Sequence, residues 1–289
     1  MNSIEKAIEL HSLEPPFFNQ DVSFLEKVIV QFIQTEMEKY HFENAAIALS
    51  GGLDSTVVTY LAARALGKKR IKLLYMPYGE STTSLDHLRL ITTDLGIEIE
   101  TYDVSEIADL IFLERAIQNP LRRGNVLARL RMVNLFDLSA REKALVIGTS
   151  NKSELLIGYS TWYGDGAAGI MPIGDMYKTQ VRAMGQYLGI PKEILDKPPS
   201  AELWPGQTDE SEIGIPYEVL DRILYYWVDM RFSKEDILKI GFAEEIVTRV
   251  MKMSYRCLYK QKLPIVAKVS ARTVGVDYRL SKETGNVSS

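Results

Sequence analysis

The sequence lacks most of the features that would mark a redox, thiolate-metal, membrane or nucleic-acid protein. Its 289 residues include one cysteine, Cys257, which excludes an intramolecular disulfide, a CxxC pair and a cysteine zinc site. Set among Tyr255, Leu258 and Tyr259, this thiol reads as buried and structural. No apolar run approaches membrane-spanning length, and the opening MNSIEKAIELHSLEPPFF has no apolar signal core. A cytoplasmic protein without membrane association is therefore expected. Lys and Arg number 34 against 38 Asp and Glu, a net charge of −4, and they are scattered along the chain, so no nucleic-acid footprint is present. The Walker pattern GxxxxGK[ST] is also missing: Gly67-Lys68 has no earlier glycine at the right spacing. Internal repeats and low-complexity segments are absent as well.

What is present suits a large packed core. The chain is 46% hydrophobic and 25% charged, ordinary for a globular protein. Apolar runs of strand length at Ala45–Leu49, Ile71–Met76, Ile97–Tyr102 and Ala144–Ile147 alternate with helical periodicity over 19–40, Asp54–Leu66, Ser84–Leu95, about 105–117 and about 126–140. In the first of these helices Phe24, Val28, Phe32 and Ile33 make one apolar face. Strands alternating with helices predict an α/β fold, a doubly wound parallel sheet flanked by helices. Gly158–Pro172 reads as a glycine-rich loop, Lys178–Leu188 as a helix, and Ile190-Pro191 as the start of another short one. Lys197–Glu212 is long and poor in apolar anchors and reads as a loop that orders on demand; such loops are usually functional or disordered. Helices over about 217–229, 234–239 (Ser233 as N-cap) and 243–256 give a helical C-terminal part. One domain over 1–289 is expected, with its core at about 20–268 and a leader and tail without clear elements.

The chemistry is concentrated where strand gives way to helix in AAIALSGGLDSTVVTYLAARAL, Ala45–Leu66. Ser50-Gly51-Gly52 lets successive amides turn inward, and the helix that follows adds unpaired N–H groups and the positive end of its dipole: an anion site. Ser50 and Ser55 place hydroxyl donors on either side. Asp54 would repel a phosphate unless a cation lay between them, so the stretch reads as phosphate plus Mg²⁺ with Asp54 as a hard-oxygen ligand. A second strand end opens into GTSNKSELLIG, Gly148–Gly158. Its Glu154, in the first turn of a helix, brings a second carboxylate to the same mouth. Alone it would be a glutamate satisfying a helix dipole; with Asp54 it completes a magnesium pair.

SGGLDS resembles the pyrophosphate-binding loop of the ATP pyrophosphatases, and GTSNKSE followed by YGDG and KPPSAELWPGQTDESEIG narrows the resemblance to the NAD⁺ synthetase family, over about residues 20–268. The resemblance implies the adenine nucleotide alpha hydrolase-like fold, a homodimer, and amidation of deamido-NAD⁺ by ammonia with ATP, through an acyl-adenylate, releasing AMP and pyrophosphate. Position by position, it implies that Ser50, Gly51, Gly52, Asp54, Ser55, Thr149, Lys178 and Ser200 hold ATP and that Asp54 and Glu154 hold magnesium. Arg129 would contact the dinucleotide, and Asp165 of YGDG would stand near the incoming ammonia. The sequence departs from the family's commoner form where Trp162 and Gly169 replace Lys and Asp, and where Ala267-Lys268 replaces His-Lys; the resemblance implies that Trp162, Gly169 and Lys268 stand at substrate-contact positions. The ligase motifs occupy about residues 45–215, so ammonia, not glutamine, is the expected nitrogen source.

Two decoys and two competitors remain. Gly164–Gly169 fits GxGxxG but lacks the strand before it and the helix after it that a dinucleotide fingerprint requires. Tyr159, Trp162 and Tyr163 could stack on a ring or pack under a loop. Another ATP pyrophosphatase, acting on tRNA or fed by glutamine, would want cysteine pairs, basic patches or a second domain. A non-catalytic nucleotide-binding protein of related fold would have no use for Glu154.

Overall fold

The computed structural model describes residues 21–79, 82–200, 208–262 and 266–274. The expected leader, residues 201–207 of the long loop and most of the tail lie outside the described residues. Four strands, β1 (Asn44–Ala48), β2 (Ile71–Tyr75), β3 (Ile99–Thr101) and β4 (Ala144–Val146), form a sheet in the order β3-β2-β1-β4. Every pairing is parallel, with Ala46 opposite Lys72, Ala45 opposite Leu145 and Leu73 opposite Ile99. The chain winds outward from β1 through β2 to β3, then returns to the other side of β1. The carboxyl ends of β1 and β4 therefore diverge at the switch point, where open α/β sheets bind ligands.

The two-residue period of a strand sends alternate side chains to opposite faces. Ala45, Ile47 and Leu49 join one core cluster, together with Ile29, Ile33 and Met37 of α1 (Val22–Lys39), Val57, Val58 and Leu61 of α2 (Leu53–Leu66), Ile91 of α3 (Thr82–Leu95) and Val181 and Met184 of α7 (Lys178–Leu188). Ala46 faces the other way, onto Ala108 and Phe112 of α4 (Ser105–Glu114) and Leu127, Leu135 and Leu138 of α5 (Pro120–Arg141). With both faces covered, the sheet is doubly wound. A third cluster gathers Ile157 of α6 (Lys152–Ile157) with Leu220, Ile223 and Leu224 of α10 (Tyr217–Leu224), Ile237 of α11 (Lys234–Ile240) and Val247 and Val250 of α12 (Glu244–Arg256). Two short helices, α8 (Lys192–Leu195) and α9 (Asp209–Ile213), lead into it.

Several boundaries differ from expectation. α1 buries Ile29, Ile33 and Met37, while Phe24, Val28 and Phe32 stay exposed; the helix docks a stripe rotated from the one its largest residues suggest. α5 begins at Pro120, not 126: Asn119 caps it through Arg122 N, and proline at the first helical position costs no hydrogen bond. The third strand keeps only three of six expected residues. The helix expected over 217–229 ends as α at Leu224 and continues as a π-helical turn over Tyr225–Asp229. Cys257 is buried as expected, pressed so closely beneath Gly158 that a Cβ on that glycine would lie 2.1 Å from the cysteine Cβ. No helix among the described residues is long and apolar enough to cross a membrane.

Candidate functional site

At the end of β1 the chain turns through Gly51 at φ +80°, a left-handed conformation where a Cβ would also press to 3.2 Å from the Ser84 carbonyl. The turn is braced from within: Gly52 N–H donates to Ser50 Oγ (3.3 Å), and Ser55 Oγ donates to the Gly52 carbonyl (3.1 Å). Gly52 caps α2 without any side-chain cap, which leaves first-turn N–H groups and the helix dipole directed at the space beyond the strand.

Beyond β4, Asn151 caps α6. Its Oδ1 accepts from Glu154 N–H (3.0 Å) while the Glu154 carboxylate accepts from Asn151 N–H (3.3 Å), a reciprocal capping box. The Asn151 amide also donates to Asp54 Oδ1 (3.1 Å), tying the two strand-end turns together across 97 residues. Lys178, the first residue of α7, places its ammonium between the two carboxylates, bonded to Asp54 and 3.2 Å from Glu154 Oε1, with the Tyr217 ring 5.3 Å away.

These groups are withdrawn from bulk water, and their charges do not balance. One ammonium faces two carboxylates. Burial, with Asp54 nearby and Lys178 opposing, pushes the Glu154 carboxyl up to about 8. Burial works against the Lys178 charge, yet Asp54 and Glu154 more than offset it and raise its pKa. Asp209 adds a third carboxyl, raised by burial; its Oδ2 accepts from Tyr217 OH (3.3 Å), whereas its buried Oδ1 has no hydrogen-bond partner among the described residues. Fully ionised, these groups would carry a negative surplus on hard oxygens; a proton on Glu154 relieves it in the metal-free protein, and a divalent cation would cancel it in that proton's place. Among the described residues no three or more acidic, His or Cys side chains come together so as to hold a metal ion by themselves. Such an ion would thus take its remaining ligands from phosphate and water.

Ser50, Gly52, Asp54, Ser55, Thr149, Glu154, Asp165, Lys178 and Ser200 all line one cavity of about 720 Å³, within the range of nucleotide-sized sites. Gly51 stands behind it as part of the turn. On the far wall Asp165 Oδ1 accepts from Thr161 N–H (2.7 Å), and burial raises its carboxyl. Lys260 holds that wall by donating to the carbonyls of Gly158 (2.8 Å) and Ser160 (2.6 Å).

The expected substrate-contact residues are placed differently: none of them is among those lining the cavity. Arg129 donates to the Trp162 carbonyl (3.2 Å). Trp162 stacks on Tyr163 with ring centroids 4.5 Å apart and meets Tyr259 edge-on, so these rings pack on one another. Gly169 backs onto β4, where a Cβ would come within 2.4 Å of Leu145 Cδ1; no side chain fits there. Lys268 lies exposed in the tail. Residues not anticipated from the sequence are Asn151, Asp209, Tyr217 and Lys260. For Asn151 a signal existed, an Asn three residues before a Glu at a helix start.

The profile of the family described as NAD synthase matches residues 25–264. The NH(3)-dependent NAD(+) synthetase of Chlorobaculum parvum is 44% identical over 94% of this chain and 98% of its own. That of Trichlorobacter lovleyi is 41% identical over 92% and 98%. Among solved structures, NMN synthetase from Francisella tularensis superposes with a TM-score of 0.76 at 30% identity, over 86% of this chain and 99% of that one. The NH3-dependent NAD synthetase of Campylobacter jejuni, in complex with the nitrate ion, gives 0.74 at 28%, over 86% and 100%.

Proposed function

The chain belongs to the NAD synthase family and is a ligase that forms a carbon–nitrogen bond, and we propose from that premise that it makes NAD⁺ from deamido-NAD⁺, ammonia and ATP by way of an acyl-adenylate. The observation that carries this reading is the buried Asp54–Lys178–Glu154 cluster at the mouth of a glycine turn. In this reading the pyridine carboxylate oxygen attacks the α-phosphorus of ATP and pyrophosphate leaves. The lone pair of ammonia then attacks the acyl carbon, and AMP departs with the former carboxylate oxygen. Adenylation is needed because a bare carboxylate would have to expel oxide.

The residues divide that work. The amides of the SGGLDS turn and the α2 N-terminus cradle the departing pyrophosphate, and Ser50, Ser55, Thr149 and Ser200 orient ATP. Asp54 and Glu154 would hold Mg²⁺, which when bound supplies charge neutralisation at the phosphates. Lys178 sits where its ammonium can serve the same oxygens. Asp165, its pKa raised by burial, accepts a proton from the nitrogen as the amide forms.

The test is to incubate the chain with ATP, Mg²⁺, ammonium and deamido-NAD⁺. AMP and pyrophosphate should appear only when the acceptor is present; ADP and orthophosphate would overturn the reading. The Francisella neighbour is named as an NMN synthetase, and Gly169 offers no side chain to a long acceptor. Nicotinate mononucleotide therefore belongs in the same assay, and its preference over the dinucleotide would move the substrate assignment without disturbing the chemistry. A subunit association resembling the family's homodimer is checked by light scattering on the same sample.

A further inference from the structure

An acidic residue on the core-facing stripe of an amphipathic helix is costly unless something uses it. Asp221 is such a residue. It lies on α10 among Tyr217, Leu220 and Leu224, all buried, and is itself fully inaccessible. Among the described residues it forms no salt bridge; instead the carboxylate accepts three hydrogen bonds. Ser153 Oγ donates to Oδ1 (2.5 Å), and Thr179 donates to Oδ2 through both its backbone N–H (2.9 Å) and its Oγ1 (2.8 Å). Ser153 Oγ in turn accepts the backbone N–H of Lys178 (2.9 Å).

The identities of those partners give the arrangement its meaning. Ser153 immediately precedes Glu154, and Thr179 immediately follows Lys178. One carboxylate thus binds the first turn of α6 and the first turn of α7 and, through a single hydroxyl, reaches the backbone of Lys178 itself. Two N–H groups at the start of α7 that would have no intrahelical partner are satisfied by this chain. The separation between the Lys178 ammonium and the Glu154 carboxylate is set by how those two first turns sit against each other. Three charge-assisted bonds from a side chain with no room to move fix that relation more firmly than apolar packing alone.

We propose that Asp221 is a positioning residue for the adenylation step: by bonding Ser153 and Thr179 together, it holds Lys178 and Glu154 in the register that the ATP phosphates require. This rests on the reading of Lys178 and Glu154 given above. Asp221 does not touch substrate; it acts through its two neighbours. A displacement of about 1 Å at a catalytic group can cost roughly 100-fold in rate, so the effect should be on turnover more than on binding.

Asp221→Asn keeps the shape and one good acceptor but cannot accept from both helices with full charge. In the full-length enzyme, kcat per folded molecule, measured well below the Tm, should fall roughly 10- to 100-fold, with the KM for ATP and for the acceptor each changing less than about threefold. Ser153→Ala breaks the link to Lys178 from the other side and should lower kcat by a smaller factor. Because the two act through one chain of bonds, the double variant should be no worse than Asp221→Asn alone. A lowered Tm with kcat within threefold of wild type would make Asp221 merely structural and overturn the proposal, as would multiplicative losses in the double variant. If Asp221→Asn does not fold, Ser153→Ala decides: wild-type kcat there overturns the proposal and a turnover-only loss supports it. Wild-type enzyme that makes no AMP would instead defeat the functional reading, so the two failures are distinguishable.

Discussion

The cavity has two unlike walls. Around Asp54, Glu154 and Lys178 the polar groups tie one element to another: Asn151 spans the two strand-end turns, and Lys178 reaches both carboxylates. The opposite wall, from Gly158 to Gly169, is a loop held by the carbonyl contacts of Lys260, by the Asp165–Thr161 bond and by stacked rings. The first wall is built from charges buried at fixed separation, as the proposed adenylation would demand. The second is held mainly through backbone carbonyls and aromatic faces, a construction that tolerates changes of side chain. In this chain a side-chain change on the first wall therefore disturbs charge, whereas one on the second leaves the backbone contacts in place.

Changes on the first wall should be the most damaging. Asp54→Asn or Glu154→Gln should lower kcat by roughly 100-fold or more, the scale of losing a preorganised electrostatic group, with circular dichroism unchanged. Near-normal turnover in both would break the contrast. Lys178→Met removes the ammonium bonded to both carboxylates, the only one so placed among the described residues. It should destabilise the metal-free protein by about 3 kcal/mol, and adding Glu154→Gln in the same chain should recover part of that loss in a denaturant titration.

The pH dependence follows from the same wall. With the Glu154 carboxyl pushed up from 4.5 to about 8, the folded protein keeps a proton that the unfolded chain gives up. Native protein then binds more protons than unfolded protein across that window, and stability must fall as pH rises through it. Asp221, raised by burial to about 6, adds to the lower part of the same fall. The Tm of metal-free protein should therefore decline between about pH 5 and pH 8, and Glu154→Gln should flatten the upper part of that decline. A Tm that rises over this range would contradict the assignment.

Effects on the second wall should be smaller and of another kind. Arg129→Ala, which frees the Trp162 carbonyl, should raise the KM for the pyridine nucleotide by about tenfold, close to 1.4 kcal/mol, while leaving the KM for ATP nearly unchanged. An equal rise in both would erase the distinction between the walls. The smallest effect should come from Cys257→Ala: the thiol is buried and its pKa is raised by burial, so activity with ammonia should persist. Glutamine-driven turnover abolished by this change would count against an ammonia-dependent enzyme.

The first wall was far more legible in the sequence than the second. SGGLDS could be read because its spacing is local and its chemistry has few other uses; Glu154 gained meaning only beside Asp54, and Lys178 only through the resemblance, since a lone lysine at a helix start is usually a solvated charge. The parallel sheet followed from apolar runs separated by helical periods. Asn151 was within reach through its capping pattern, but its bond to Asp54 was not, since nothing local reports a partner 97 residues away. Asp221 looks like one more charge on a helix until its neighbours are seen to be buried. On α1 the large residues Phe24 and Phe32 drew the expected apolar face toward themselves; of that face docking against α2 buried Ile33 and added Ile29 and Met37, because tertiary packing chooses the stripe. Trp162 and Gly169 were assigned by position in a motif, and position does not reveal that one ring is stacked and that the other site has no room.

The bond between Lys178 and Asp54 joins residues 124 apart in the chain, and that separation has a consequence for synthesis. At about 5 to 20 residues per second, the ribosome needs on the order of 6 to 25 s to reach the lysine after making the aspartate. Throughout that interval the nascent glycine turn carries a carboxylate with no cation of its own to meet. Until its partner emerges, water is the best neighbour Asp54 can have, which favours a mouth that stays open while β1 and β2 pair.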